Sequence, residues 1–189
     1  DQASKMFGKG FYQQIKGRSL MKLENVRLTL DEAQNFVAKH HRHSEPLKRH
    51  KFSIGAVLVE KSYQPLNTDD LLGIVTVDVC SSKWNQRRDH VEIRRVCTNG
   101  GKDVSSFLIG KAKAACFAMG YKCVITYTRP HESGASLKAS GFWMQKAEYV
   151  KNKNGDLTGG LVQWIAVDGH QPSEEDRKFT NSTLELMAS

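Results

Sequence analysis

The chain has 189 residues, 39% of them hydrophobic, and a formal net charge of +8 at pH 7, which fits one compact domain of ordinary size. No apolar run approaches the roughly 18 residues of a membrane span. The four cysteines sit in apolar runs without CxxC spacing, which argues against a disulfide frame or zinc site and for reduced thiols in a soluble, cytoplasmic protein. The positive balance suits an acidic partner, whether nucleic acid, a phosphorylated cofactor or an acidic protein.

Residues 1–20 carry four Lys/Arg against one Asp and three glycines without a clear period. They read as a flexible basic leader or arm, with Met21 a plausible natural start. The folded domain is expected over 21–168. Leu23 to Leu30 alternates apolar and polar residues as a half-buried strand does. Asp31 stands where an N-cap belongs, and Ala33, Phe36 and Val37 then share one helical face. Pro46 closes the loop that follows. Phe52–Glu60 and Leu71–Cys80 are strong strand patterns joined by a turn-rich connection, and they read as antiparallel neighbours. The loop Ser81–Asp89 is polar and basic, with Trp84 its one aromatic residue.

The most informative stretch is His90 to Gly120. A β-prone run, Val91 to Cys97, breaks into Thr98-Asn99-Gly100-Gly101-Lys102-Asp103 and continues as a small-residue helical pattern from Val104 to Met119. A second β run, Lys122 to Tyr127, follows at once. A strand, a glycine loop and a helix N-terminus in this order form an anion site, because first-turn N–H groups lack partners within the helix. A short helix around ASLKAS follows Pro130–Gly134. Two strands, Phe142–Tyr149 and Leu161–Val167, close the domain. From Gly169 the chain reads as a polar tail, in which Ser173 and Asp176 cap a brief helix. The order is β-α-β-β-β-α-β-α-β-β, which predicts a single α/β domain with a mixed sheet flanked by helices.

That order, with its glycine loop after the fourth strand and the SGF ending of the last domain helix, resembles the GNAT (Gcn5-related N-acetyltransferase) superfamily over residues 22–167. At finer grain, HHRHS, EIRRVCTNGG, ITYT and ESGASLKASGF are similar to small GNAT-like proteins of phages and mobile elements. These in turn resemble phage Mom-type DNA modification proteins. The resemblance implies a mostly antiparallel sheet whose fourth and fifth strands splay to admit the pantetheine arm of acetyl-CoA. It also implies N-acyl transfer to an amine or, as the alternative, modification of a DNA base. Val96, Cys97, Thr98, Asn99, Gly100, Gly101, Lys102, Val104, Ser105 and Ser106 are the implied cofactor-binding residues. The glycine spacing departs from the family pattern, and Asp103 adds a negative charge beside the loop. Leu137 stands where many relatives keep a proton-donating tyrosine.

Glu92 lies mid-strand where relatives often place a base or water-holding carboxylate. A carboxylate beside Arg94 in an otherwise β-prone run fits either a tuned base or a structural ion pair. Strand alternation sets Glu92 and Arg94 on one face and Ile93 and Arg95 on the other. With Leu137 unable to donate a proton, Tyr127, His131 and Ser133 are the remaining candidates for the acid. His40 and His41 close the first helix and His43 follows in the loop; the family borders its acceptor there, so His41 and His43 are read as substrate-facing, together with Arg94, Trp84 and Glu132. Adjacent histidines on a helix point about 100° apart, a poor spacing for metal, so no metal site is expected. Basic residues concentrate in 42–51 and 83–88, and these loops are the candidate nucleic-acid contacts.

Overall fold

The computed structural model describes residues 22–40, 47–62, 67–151, 153 and 157–188. The leader and its possible start at Met21, and the loop carrying His41 and His43, lie outside the described residues. β1 (Leu23–Leu28) leads into α1 (Leu30–His40) through a reciprocal cap. The Glu32 N–H donates to Thr29 Oγ1 (3.3 Å) and the Thr29 N–H to Glu32 Oε2 (2.7 Å). Two backbone donors at the helix start are thus satisfied. Thr29 is therefore the capping residue, and Asp31 sits inside the first turn. Ala33, Phe36 and Val37 are buried, as the 3.6-residue period requires.

β2 (Phe52–Leu58) ends where Val59–Ser62 turn into a single helical turn. β3 (Gly73–Asp78) is buried along its whole length. β4 (His90–Thr98), α2 (Val104–Ala118) and β5 (Cys123–Thr128) form the predicted strand–loop–helix–strand unit. The five-residue α3 (Ala135–Ala139), β6 (Trp143–Lys151) and β7 (Leu157–Val167) follow. β7 begins at Leu157 rather than Leu161, because Gly159 and Gly160 are already paired with Val150 and Tyr149.

The segment read as a polar tail with a brief helix is the 15-residue α4 (Glu174–Ala188). Ser173 and Asp176 cap it as expected, with the Asp176 N–H on Ser173 Oγ (3.1 Å) and the Ser173 N–H on Asp176 Oδ2 (2.9 Å). Its inward face carries buried Thr180 and Thr183, and Thr180 Oγ1 accepts the Met144 N–H (3.0 Å). Threonines at core positions leave only a weak apolar stripe, so the sequence pattern understates the helix.

The seven strands form one sheet in the order β1-β2-β3-β4-β5-β7-β6. Each neighbouring pair is antiparallel except β4 with β5. On one face, Val104, Leu108, Ile109, Ala112 and Cys116 of α2 pack on Val75, Val91, Ile93, Val124 and Trp164. On the other, α1 covers the β1–β4 half through Phe36, Val37, Val57, Ile74 and Cys97. Among the described residues no helix covers the β5–β7–β6 half of that second face, and the larger cavity of the molecule opens there.

Candidate active site

Pairing between β4 and β5 runs through His90↔Cys123, Val91↔Val124 and Glu92↔Ile125 and stops, although the strands continue to Thr98 and Thr128. At the point of parting, Thr126 Oγ1 donates to the Ile93 carbonyl (3.0 Å), which pins the vertex of the gap. β4 also carries a bulge. Thr76 faces Arg95 while Val77 faces Ile93, so Arg94 is the extra residue. The bulge shifts the alternation that the bare sequence predicts. Ile93 stays with the α2 core, but Arg95 turns to the α1 side against Ala33, Val37 and Thr76, and Val96 takes its place toward α2.

An opening lies on each side of the gap. On the α2 face a cleft of about 280 Å³ is lined by Ile93, Val96, Ser105, Ile109, Thr126, Thr128 and Glu132 to Leu137. On the opposite face lies a cavity of about 780 Å³ lined by Leu47, Ser81, Ser82, Asn85, Glu92, Lys146, Glu148, Leu161 and Gln163. Arg94, Arg95 and Tyr127 border both.

Glu92 is 4% exposed. Its Oε2 accepts both the Ser81 N–H and the Ser81 hydroxyl, each at 2.7 Å, which ties the β3–β4 connection to β4. Its Oε1 stands 3.6 Å from the Arg94 guanidinium. Glu92 thus stands in an ion pair with Arg94 and is at the same time part of the cavity lining. Tyr127 follows two residues after Ile125, the strand partner of Glu92, so it projects to the same face. Its phenol oxygen accepts a hydrogen bond from Asn85 Nδ2 (2.9 Å). A tyrosine oxygen that accepts one donor keeps its own hydrogen to give elsewhere. Burial pushes the Tyr127 pKa above its ordinary value of 10.0; the Asn85 bond opposes that rise, and Glu92 and Cys80 add to it. Burial likewise raises Cys80 to about 12, with the Glu92 charge reinforcing it, so this neighbouring thiol is no nucleophile at neutral pH.

The sequence-predicted residues divide along these lines. Glu92, Arg94 and Tyr127 meet at the gap, and Val96, Ser105, Glu132 and Ser133 line the α2-side cleft. Glu132 accepts the Arg129 N–H, and Ser133 Oγ accepts the Ala135 N–H (3.4 Å), so both shape the turn into α3. His131 is exposed and borders neither opening. Cys97 points away from the α2-side cleft into the α1 cluster, and burial raises its pKa. Val104 is fully buried and offers its N–H alone. The side chain of Trp84, like His41 and His43, lies outside the described residues. Leu137 is buried in the cleft wall and, as expected, brings no proton donor.

In the loop, Asn99 Oδ1 accepts the Gly101 N–H (3.3 Å), and Gly100 holds φ +94° as glycine allows. A Cβ on Gly101 would meet Val104 Cγ2 at 2.8 Å. Thr98, Asn99, Gly100, Gly101 and Lys102 form the approach to α2 and Ser106 lies in its first turn, and none of them lines the cleft itself. Asp103 stands at the N-cap of α2 with φ 61° and no capping bond from its side chain. This left-handed turn leads into α2, whose first-turn N–H groups lack partners within the helix. Asn85, Ser81, Arg95, Lys146, Glu148 and Gln163 are cavity residues that sequence reasoning missed. Only the bulge and the long-range pairing bring them to the gap.

No protein-family model matches the sequence, and no curated protein does. Solved structures do match the fold. An acetyltransferase of Bacillus subtilis in complex with CoA is 16% identical, with 77% of this chain and 97% of that one covered and a TM-score of 0.53. A chain of the NatC complex bound to Gag peptide and CoA is 16% identical, at 78% and 99% coverage and a TM-score of 0.54. The ribosomal-protein-S18-alanine N-acetyltransferase of Escherichia coli is 9% identical, at 80% and 97% coverage and a TM-score of 0.55. The fold is the GNAT fold. Within it, the parting of β4 from β5 is the splay that the sequence resemblance implies. No helix among the described residues is long and apolar enough to cross a membrane.

Proposed function

We propose that this chain is an N-acyltransferase that moves the acetyl group of acetyl-CoA to an amine. The observation that carries this reading is the parting of the strands: β4–β5 pairing ends at Glu92, and the α2-side cleft and the cavity holding Glu92 share Arg94, Arg95 and Tyr127 in their walls. The α2-side cleft takes the pantetheine arm, and the N–H groups and hydroxyls of Asn99–Ser106 meet the pyrophosphate. CoA-bound neighbours of the same fold support this assignment.

The amine enters from the opposite cavity. Its nitrogen attacks the thioester carbonyl, and its proton passes to Glu92 Oε1 directly or through water. Collapse of the tetrahedral intermediate breaks the C–S bond, and the departing thiolate takes a proton from Tyr127, which does what Leu137 cannot. Asn85 donates to the phenol oxygen, which leaves the phenolic hydrogen free for the thiolate. The test is thiol release from acetyl-CoA across a panel of amines (polyamines, amino acids, peptides and amine-bearing nucleotides), with mass spectrometry of the acceptor. Acetylated product from any class supports the reading; no thiol release and no product with all of them contradicts it.

A second reading, base modification in nucleic acid as in Mom-type proteins, is favoured by one observation. The connection that walls the cavity also carries Arg87 and Arg88.

A further inference from the structure

Near the N-terminal ends of β4 and β5, a second groove of about 310 Å³ is lined by Arg49, Lys51, Arg87, Arg88, His90 and Tyr121 together with apolar and amide atoms, and by no carboxylate. The Val79–Asp89 connection separates it from the acceptor cavity. Ser81, Ser82 and Asn85 form the cavity wall of that connection, and Gln86, Arg87 and Arg88 form the groove wall.

The connection is braced on both sides. Gln86 Nε2 donates to the Cys80 carbonyl (3.0 Å), the His90 N–H to the Arg87 carbonyl (3.2 Å), and the Lys122 and Cys123 N–H groups both reach the Asp89 carbonyl (2.7 and 3.2 Å). Arg49 Nε is held by Asp78 (3.2 Å), which leaves the rest of its exposed guanidinium directed outward. Lys51 Nζ lies 5.6 Å from the centre of the Tyr121 ring. Asp89 lies 3.9 Å from His90. Among the described residues, Lys51, Arg87 and Arg88 have no carboxylate within ion-pair distance. Three unneutralised cations on braced backbone, with a fourth held in place, suit several phosphates in a row better than one. A half-buried tyrosine among them suits a base edge or face. An acidic protein would want more apolar anchorage than one tyrosine offers.

We propose that this groove binds the phosphate backbone of nucleic acid, and that the acceptor amine is carried on the same strand. The second clause rests on the reading of the neighbouring cavity as the acceptor site. A strand seated in the groove has only the Val79–Asp89 connection between it and Glu92, so one nucleotide or an attached amine can turn into the cavity.

The test is fluorescence anisotropy with fluorescein-labelled single- and double-stranded oligonucleotides of about 20 nucleotides at several salt concentrations. Arg87→Glu/Arg88→Glu is compared with Arg27→Glu/Lys178→Glu, an equal charge change on exposed residues elsewhere. The proposal expects the groove variant to lose at least about tenfold in affinity and to flatten the log–log salt dependence by about 1–2, while the control stays within about threefold. Equal losses in the two variants, no oligonucleotide binding by the unsubstituted chain, or groove-dependent binding of poly-glutamate as tight as that of the oligonucleotide would each overturn it. CoA titration of the same proteins separates the two claims. Intact CoA binding in the groove variant locates any loss in the groove. Oligonucleotide binding without CoA binding in the unsubstituted chain would remove the acyl-transfer reading and leave the groove standing. Acetylation of amine-bearing oligonucleotide that is equally fast in both variants would overturn the substrate clause alone.

Discussion

Replacing Tyr127 by Phe removes one oxygen and leaves the ring. The Asn85 amide then loses a 2.9 Å partner in a part-buried place, at a cost of about 1 kcal/mol in stability. Loss of a positioned acid lowers kcat by roughly 10²–10⁴, equivalent to about 3–5 kcal/mol of barrier at 1.36 kcal/mol per tenfold. Asn85→Asp is the sharper perturbation. A carboxylate there accepts the phenolic hydrogen that Asn85 leaves free, and it adds a negative charge beside a phenol already raised by burial. Its loss of kcat should therefore approach that of Tyr127→Phe, while Asn85→Ala loses only about tenfold, the scale of one neutral hydrogen bond. The sign of the pH effect follows from the shift. A phenol held above 10 stays protonated through neutral and mildly alkaline pH, so the alkaline limb of kcat lies above the ordinary tyrosine range. Because the Asn85 bond lowers the pKa, Asn85→Ala moves that limb further up. Thiol release from acetyl-CoA with the best amine of the panel, followed against pH, reads all of these. If Tyr127→Phe keeps kcat within about threefold of the unsubstituted protein, or Asn85→Asp proves milder than Asn85→Ala, the phenol is not the acid.

Three other outcomes follow. Gly134 in the cleft wall has φ 61°, and a Cβ there would lie 2.2 Å from Cζ2 of the buried Trp164, so Gly134→Ala should destabilise by about 2–5 kcal/mol; a guanidinium midpoint corresponding to a loss of less than about 1 kcal/mol would refute this. Asp103→Asn keeps a residue that tolerates the left-handed turn and removes a charge near the expected pyrophosphate; CoA should bind about two- to fivefold tighter by calorimetry, and unchanged or weaker binding would place the phosphates elsewhere. Burial raises Cys80 and Cys116 from 9.0 to about 12 and Cys123 to about 11. Below pH 9 both folded and unfolded thiols are neutral and stability is complete. Between 9 and about 12 the unfolded chain gives up its protons first, so stability falls with rising pH by up to about 1.4 kcal/mol per thiol per unit. Denaturant midpoints at pH 7, 9 and 10.5 check this, and an unchanged midpoint at the highest pH would contradict it.

The sequence carries the centre of the fold plainly, because the change from period two to period 3.6 across Val91–Met119 is local. The same holds for Glu92, a lone carboxylate in a strand. Arg95 was unreadable for the opposite reason. The bulge at Arg94 is a property of how β4 pairs with β3, and it reverses every side-chain direction beyond it. Asn85 sits in a loop without period, 42 residues before the tyrosine it holds. Cys97 fell on the wrong side of the loop assignment through the same bulge. α4 is understated in the sequence because its buried positions include Thr180 and Thr183, polar residues that interrupt the apolar stripe, and Thr180 takes the Met144 N–H.

The central claim is that the gap between β4 and β5 receives a CoA thioester. Isothermal titration of the unsubstituted protein with acetyl-CoA and with CoA tests it without any acceptor. The account predicts one site per chain with a Kd in the micromolar range, about −8 kcal/mol, and a measurable loss of affinity when Gly101→Val crowds the turn against Val104. Absence of binding heat up to millimolar ligand, about −4 kcal/mol, would contradict it.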